Sequence, residues 1–352
     1  GIGIKLQNLL APIISHVSVY GFKTGIELYD RLRNIIIDGC HIWDNENYGI
    51  HWNGVSLHQN NIIGCHISRS KKALFFDNGD IHNVQINGCD IEGAGSENLI
   101  HMLATASGSQ VSQVQITGNT FEDHNLNTSA LIKAESDNNR YIGIIEVVGN
   151  QFSGSVQDAI EISRVYGINV TSNSWFNSEG FLLKASRSAD ITLNSNTIYP
   201  PPGFMPWEML NSALFYYGGG GLTGATISDN IVTRASTQII YINTGNSNVA
   251  NLIITGNNIQ YRSGYVVENE MESKYIFEIR GNNLYNVNLS HNNVRAVDGL
   301  TRGFLLRDST SYEKVMITNN MIRGIEANRN KYFLPDLVED VSTENIVAMY
   351  NI

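Results

Sequence analysis

The chain has 352 residues, 42% hydrophobic and 16% charged, with a net charge of −10. That balance, with no basic stripe, argues against a nucleic-acid partner and against a polyanion held chiefly by charge, unless metal ions or a local basic patch help. No apolar run is long enough to span a membrane, so no membrane insertion is expected.

One phrase recurs along the chain: hydrophobic, any residue, hydrophobic, two small or polar residues, then Asn or Cys. After a degenerate copy ending at Phe22 it runs Ile35 to Cys40, a weaker copy ends at Cys65, and clear copies follow at Val84 to Cys89, Val114 to Asn119 and Ile145 to Asn150. It continues at Ile168 to Asn173, Ile191 to Asn196, Ala225 to Asn230, Leu252 to Asn257, Val287 to Asn292 and Val315 to Asn320, with a last weak copy ending at Asn351. Successive ends from Cys40 onward lie 23 to 35 residues apart, about one supersecondary unit per step. Apolar residues alternate within each phrase, which predicts a strand.

A second apolar strand is predicted between phrases, at Ala73 to Phe76, Ala130 to Ile132, Phe181 to Leu183, Ala213 to Phe215, Ile239 to Ile242 and Phe304 to Leu306. Short strands, polar turns and almost no amphipathic helix predict an all-β fold, a parallel β-helix of about 12–13 coils spaced ~4.8 Å apart. Leucine-rich repeats would need a stricter leucine frame and a more constant repeat length. The whole of 1–352 reads as one solenoid domain. It begins at Gly1 inside an apolar stretch and stops just past the last phrase, so a fragment of a longer chain is expected.

The terminal Asn suits a tight inward turn, and stacked amides can hydrogen-bond along the stack. Cys40, Cys65 and Cys89 take the same place in three successive coils and are expected as free, buried thiols. Phe277 to Asn282 also fits the phrase but ends only ten residues before Asn292, and is expected as a third strand of an enlarged coil.

The segment His16-Val17-Ser18-Val19-Tyr20-Gly21-Phe22-Lys23-Thr24-Gly25-Ile26, with the long Asn ladder, resembles the pectin-lyase-like superfamily of right-handed parallel β-helices. The resemblance covers the whole chain and implies the fold far more than the chemistry. The polygalacturonase-like signatures Asn-Thr-Asp, Asp-Asp, Gly-His-Gly and Arg-Ile-Lys are absent, as is the Trp-Ile-Asp-His phrase of pectate lyases. Low charge and irregular coil length most resemble the central domain of a bacteriophage tailspike. That resemblance implies a homotrimer at the virion tail, or otherwise extracellular, that cleaves glycosidic bonds of bacterial capsule or O-antigen. The alternatives are a non-catalytic glycan-binding fibre and a secreted uronan lyase or epimerase.

The register turns the sequence into columns. Residues one and three places after the ladder residue are expected to face solvent. The third-place column reads Trp43, Ser68, Glu92, Glu122, Ser153, Phe176, Tyr199. Glu92 and Glu122 on adjacent coils, with Asp123 beside them, are the candidate catalytic carboxylates, because two such groups a strand apart resist ionising together and suit glycoside hydrolysis. The first-place column, His41, His66, Asp90, Thr120, could hold a metal or act as acid and base, but is expected to be polar surface. No ordered metal-binding spacing is present, and neither a metal nor another cofactor is expected. The second strands end in His51 and Trp52, His101, Lys133 and Glu135, Asp158 and Glu161, Lys184, and Tyr216. Glu135, Asp158 and Glu161 are the runner-up acids, with Lys133 or Lys184 to bind an acidic sugar. The longest inserted segment, between Asn196 and Asn230, offers Trp207 with Tyr216 or Tyr217 as a sugar subsite. Trp43 and Tyr199 add further aromatic surface.

Overall fold

The computed structural model describes residues 1–93, 97–123, 130–137, 140–154, 158–176, 180–199, 213–235, 239–261, 275–296, 302–307, 309–323 and 346–349. Among the described residues the elements are β-strands, paired in parallel from coil to coil, with bulges at four pairings. The chain is a right-handed parallel β-helix, an all-β solenoid, as the repeated phrase predicts. Contacts divide it into two compact units, Gly1–Phe176 and Asn177–Ile352.

In the first unit the phrase strands Asp80–Asn87, Gln110–Thr117, Tyr141–Val148 and Val165–Thr171 stack in order. Their alternate residues form the buried columns Val84, Val114, Ile145, Ile168 and Ile86, Ile116, Val147, Val170. A short strand follows each ladder residue, and Val19, Ile42, Ile67, Ile91, Phe121, Phe152 and Trp175 line its inner side. The second strands Lys72–Asp77, Ile100–Ala104, Ala130–Ser136 and Asp158–Ser163 close the coil. Trp52 and Phe76 are fully buried and stack at 4.4 Å with their planes 3° apart. In the first coils the second strand and the phrase are one long strand, Thr24–Asp38 and then Tyr48–Ile63.

The second unit repeats this plan. Phrase strands Ala189–Asn194, Leu222–Ser228, Val249–Thr255, Asn283–Ser290 and Ser311–Thr318 stack, as do second strands Phe181–Ser186, Ala213–Gly218, Ile240–Asn243, Tyr275–Arg280 and Arg302–Arg307. Tyr275–Arg280 pairs on both sides with second strands. Phe277 to Asn282 therefore fills the ordinary second-strand place, not that of an added third strand. The degenerate phrase ending at Phe22 is also different from expectation: Ser18–Tyr20 stacks on the short strand His41–Trp43.

The ladder forms within each unit. Asn119 donates its backbone N–H and Nδ2 to Asn150 Oδ1 at 2.9 and 3.0 Å, and Asn150 does the same to Asn173. Asn196, Asn230, Asn257, Asn292 and Asn320 repeat it in the second unit. The second amide hydrogen reaches back to a phrase carbonyl, Ile116 for Asn150 and Ile227 for Asn257. Cys40, Cys65 and Cys89 are free and buried, and their thiols donate to the carbonyls of Ile14, Ile37 and Ile62 in the same manner.

The unusual backbone angle sits one residue before the ladder, not on the ladder Asn. Gly88, Gly118 and Gly149 carry φ of 62°, 63° and 67°, and Ser172 and Asp229 take 57° and 55°. Glycine enters this left-handed region without a Cβ penalty, so the turn is made there and the Asn is left free to bond. Gly154 is more constrained, with φ of 122° and no room for a Cβ against the Asp123 carbonyl oxygen. Gly154→Ala is expected to destabilise the first unit by about 1–3 kcal/mol, the usual cost of such backbone strain, read as a lower thermal midpoint.

Candidate functional site

The outward side of the first unit's second-strand sheet gathers a polar network. One outward column runs Glu27, His51, Phe75, His101, Lys133, Glu161 from coil to coil. The neighbouring outward column places Asp77, Leu103, Glu135 and Ser163 on successive coils. Strand alternation explains both, since the residues between them, such as Phe76, Met102 and Ala134, are buried inside.

His51 Nε2 lies 3.2 Å from Asp77 Oδ2, and His51 Nδ1 lies 4.0 Å from Glu27 Oε1. His101 Nε2 donates to Glu135 Oε1 at 2.8 Å, and Lys133 Nζ to Glu135 Oε2 at 3.0 Å. Lys5 pairs with Glu27 at 3.4 Å, and Lys72 pairs with Glu97. An aromatic strip runs through the centre: Phe75 stacks with Tyr48 at 5.1 Å and with His51 at 5.2 Å, and His101 lies 5.4 Å away.

Among the described residues, four ionisable groups with shifted pKa values, Tyr48, Asp77, His101 and Glu135, lie on this face. The His51 hydrogen bond leads in holding Asp77 below the ordinary carboxylate range. Burial pushes Glu135 up, but hydrogen bonds from Lys133 and His101 outweigh it and its carboxyl is lowered. Burial lowers His101 against the opposing pull of Glu135. Burial, then Asp77 and Glu97, raise the Tyr48 hydroxyl. Such groups collect where chemistry is done more often than elsewhere.

The shifts give a pH dependence. Lowered carboxyls stabilise the fold above their ordinary pKa near about 4 and lose that contribution as the pH falls through the lowered values. A lowered histidine acts in the same sense, because below its ordinary pKa of about 6.5 the unfolded chain binds the proton more readily. Thermal midpoints are therefore expected to fall with acid, and Glu135→Gln to flatten the part of the fall below about pH 4. An unchanged slope in Glu135→Gln contradicts the assignment.

The sequence-predicted residues fall as follows. Glu92 and Glu122 are direct Cα partners on adjacent coils, as the register required, but on the short-strand sheet. Asp123 is turned inward and buried, packed against Gly93, so it does not join them at the surface. Ser68 is also buried, because an extra residue in His66–Ser70 bulges the strand and puts Arg69 outward in its place. Arg69 Nε pairs with Asp44 at 3.0 Å, and its guanidinium lies over Trp43 at 5.2 Å. Trp43 stacks with the exposed Tyr20 at 4.7 Å.

The runner-up acids separate. Glu135 is partnered by Ser163, Glu161 by Lys133, and Asp158 is buried opposite Ala130. In the second unit Lys184, Tyr216, Tyr241 and Glu278 form one outward column, and Tyr216 meets Tyr241 at 5.4 Å. Tyr217 points inward, fully buried, with its hydroxyl donating to the carbonyls of Ser188 and Gly221. Its burial removes it from the expected sugar subsite. Tyr199 stands on the short-strand sheet, and Trp207 lies outside the described residues. Sequence reasoning missed Asp77. It falls one place past the apolar run Ala73 to Phe76, and the signal was the outward place it shares with Leu103 and Glu135.

These features define a β-helix protein with a built polar face on its solenoid wall, a scaffold consistent with proteins that handle polysaccharides. The family model described as the right-handed β-helix region matches residues 1–121, which include Glu27, His51, Asp77 and His101. No curated protein matches the chain.

Proposed function

We propose that the second-strand face of the first unit binds a polysaccharide along the solenoid and hydrolyses its glycosidic bonds. The observation that carries this is the spacing of Asp77 and Glu135, each held by a histidine and separated by the single residue Leu103 in their column. Two strand steps put their backbones roughly 9.6 Å apart. Carboxyl groups about 6.5–9.5 Å apart leave room for a water, the arrangement of inverting hydrolysis. In this reading Glu135, kept ionised by Lys133 and His101, takes a proton from the water that attacks the anomeric carbon. The C–O bond to the leaving sugar breaks, and the departing oxygen takes a proton from the His51 ring, which the ionised Asp77 holds in place. Tyr48, backed by the buried Phe75, supplies apolar surface for a sugar ring.

The charge of the face favours a neutral glycan over a uronan. Among the described residues of the first unit, Glu27, Asp77, Glu97, Glu135 and Glu161 share this face with Lys5, Lys72 and Lys133, which pair with Glu27, Glu97 and Glu135. A uronan lyase would need a free cation to neutralise the sugar carboxylate. The Glu92–Glu122 pair is the competing catalytic assignment, supported by its direct register. Bacterial capsule or O-antigen as substrate, a virion-tail or extracellular setting and a homotrimer belong to the same proposal, supported by the tailspike-like coil pattern.

The test is incubation with purified capsule or lipopolysaccharide, following chain length and absorbance of unsaturated uronate. Shortening without new absorbance supports the proposal. New absorbance supports a lyase, and binding without shortening a fibre.

A further inference from the structure

The short-strand sheet of the first unit carries groups that this hydrolysis does not use. His66 and Asp90 are Cα partners on adjacent coils, and Glu92 follows Asp90 by two residues on the same strand, so both carboxylates share its outward side. Donor atoms of His66, Asp90 and Glu92 all lie within 4.8 Å of one another. His66 Nε2 is shielded from solvent and makes no hydrogen bond among the described residues. It stands 3.6 Å from Glu92 Oε2, beyond hydrogen-bond range. Two donors each about 2.0–2.1 Å from a tetrahedral ion lie roughly 3.4 Å apart, close to this separation.

We propose that His66, Asp90 and Glu92 form a binding site for a first-row divalent transition-metal ion, of which zinc is the natural probe. One imidazole nitrogen and two carboxylate oxygens suit such an ion, whereas calcium and magnesium prefer oxygen alone. Three protein donors leave a coordination position open. It lies beside a continuous aromatic shelf, in which His41 stacks on His66 at 4.6 Å, Trp43 on His41 at 5.3 Å and Tyr20 on Trp43. A second gathering, His58, Asp80 and His82, is a poorer ion site, because the Arg33 guanidinium occupies His58 Nδ1 and sets a permanent positive charge beside it.

Calorimetric titration of the full chain with zinc tests this, with thermal melts of each variant as the folding control. One ion per chain is expected. His66→Gln and Asp90→Asn should each weaken binding by at least about tenfold, since even residues that only support metal ligands cost roughly 10–100-fold. His82→Gln should leave it unchanged, and calcium should bind more weakly than zinc. No zinc binding, zinc binding that survives His66→Gln, loss in His82→Gln, or calcium bound as tightly as zinc would each overturn the proposal.

Discussion

Glu135→Gln is expected to cut polysaccharide cleavage by about 10²–10⁴-fold, the usual worth of a positioned general base. Glutamine keeps the shape and its one amide oxygen can still accept from His101 or Lys133, but it cannot take a proton from water. Asp77→Asn should lose activity on the same scale, and the double variant should lose little more than either alone, because the two act in one step. Glycan binding should survive in both single variants. Cleavage rates on a defined substrate, with binding measured separately, check this. If Glu92→Gln or Glu122→Gln abolishes cleavage while Glu135→Gln keeps it, the reaction belongs to the short-strand sheet.

The largest stability effect is expected at the ladder. Asn150 is 1% exposed and accepts two hydrogen bonds from Asn119 while donating to Asn173 and to the Ile116 carbonyl. Asn150→Ala leaves the Asn119 donors and the Ile116 carbonyl without these partners. At roughly 1–3 kcal/mol for each of these three buried groups, the loss is about 3–9 kcal/mol. The thermal midpoint should drop by on the order of 10 °C. Because each coil touches only its neighbours, hydrogen exchange should quicken first in the coils carrying Asn119 and Asn173. Asn150→Cys should cost less, since Cys40, Cys65 and Cys89 show that a thiol can fill this place and still donate to a carbonyl. Equal losses for Ala and Cys would show that a thiol's bond and volume contribute nothing at this place.

The repeated phrase made the solenoid legible because its physical demands are local: alternation for a strand, a small residue for the left-handed turn, an amide for the stack. It also placed Glu92 opposite Glu122 correctly, since that register depends only on counting from the ladder. Counting failed where a coil gained a residue. The bulge at Ser68 and Arg69 exchanged an expected outward serine for an arginine, and the chain after Glu122 turned Asp123 inward. On the second strands no ladder residue fixes the frame, so Glu135, Asp158 and Glu161 looked like one cluster but occupy three different environments. The couplings of His51 with Asp77 and of His101 with Glu135 join residues 26 and 34 apart in sequence, across coils of unequal length.

The spacing of Asp77 and Glu135 makes one further commitment, to the stereochemistry of the product. Proton NMR of freshly released reducing ends, recorded before the anomers interconvert, reads it directly. Inversion of the anomeric configuration is the predicted result. Retention would require a carboxylate pair at about 5–5.5 Å, much closer than the roughly 9.6 Å backbone spacing of these two residues, and would contradict the account.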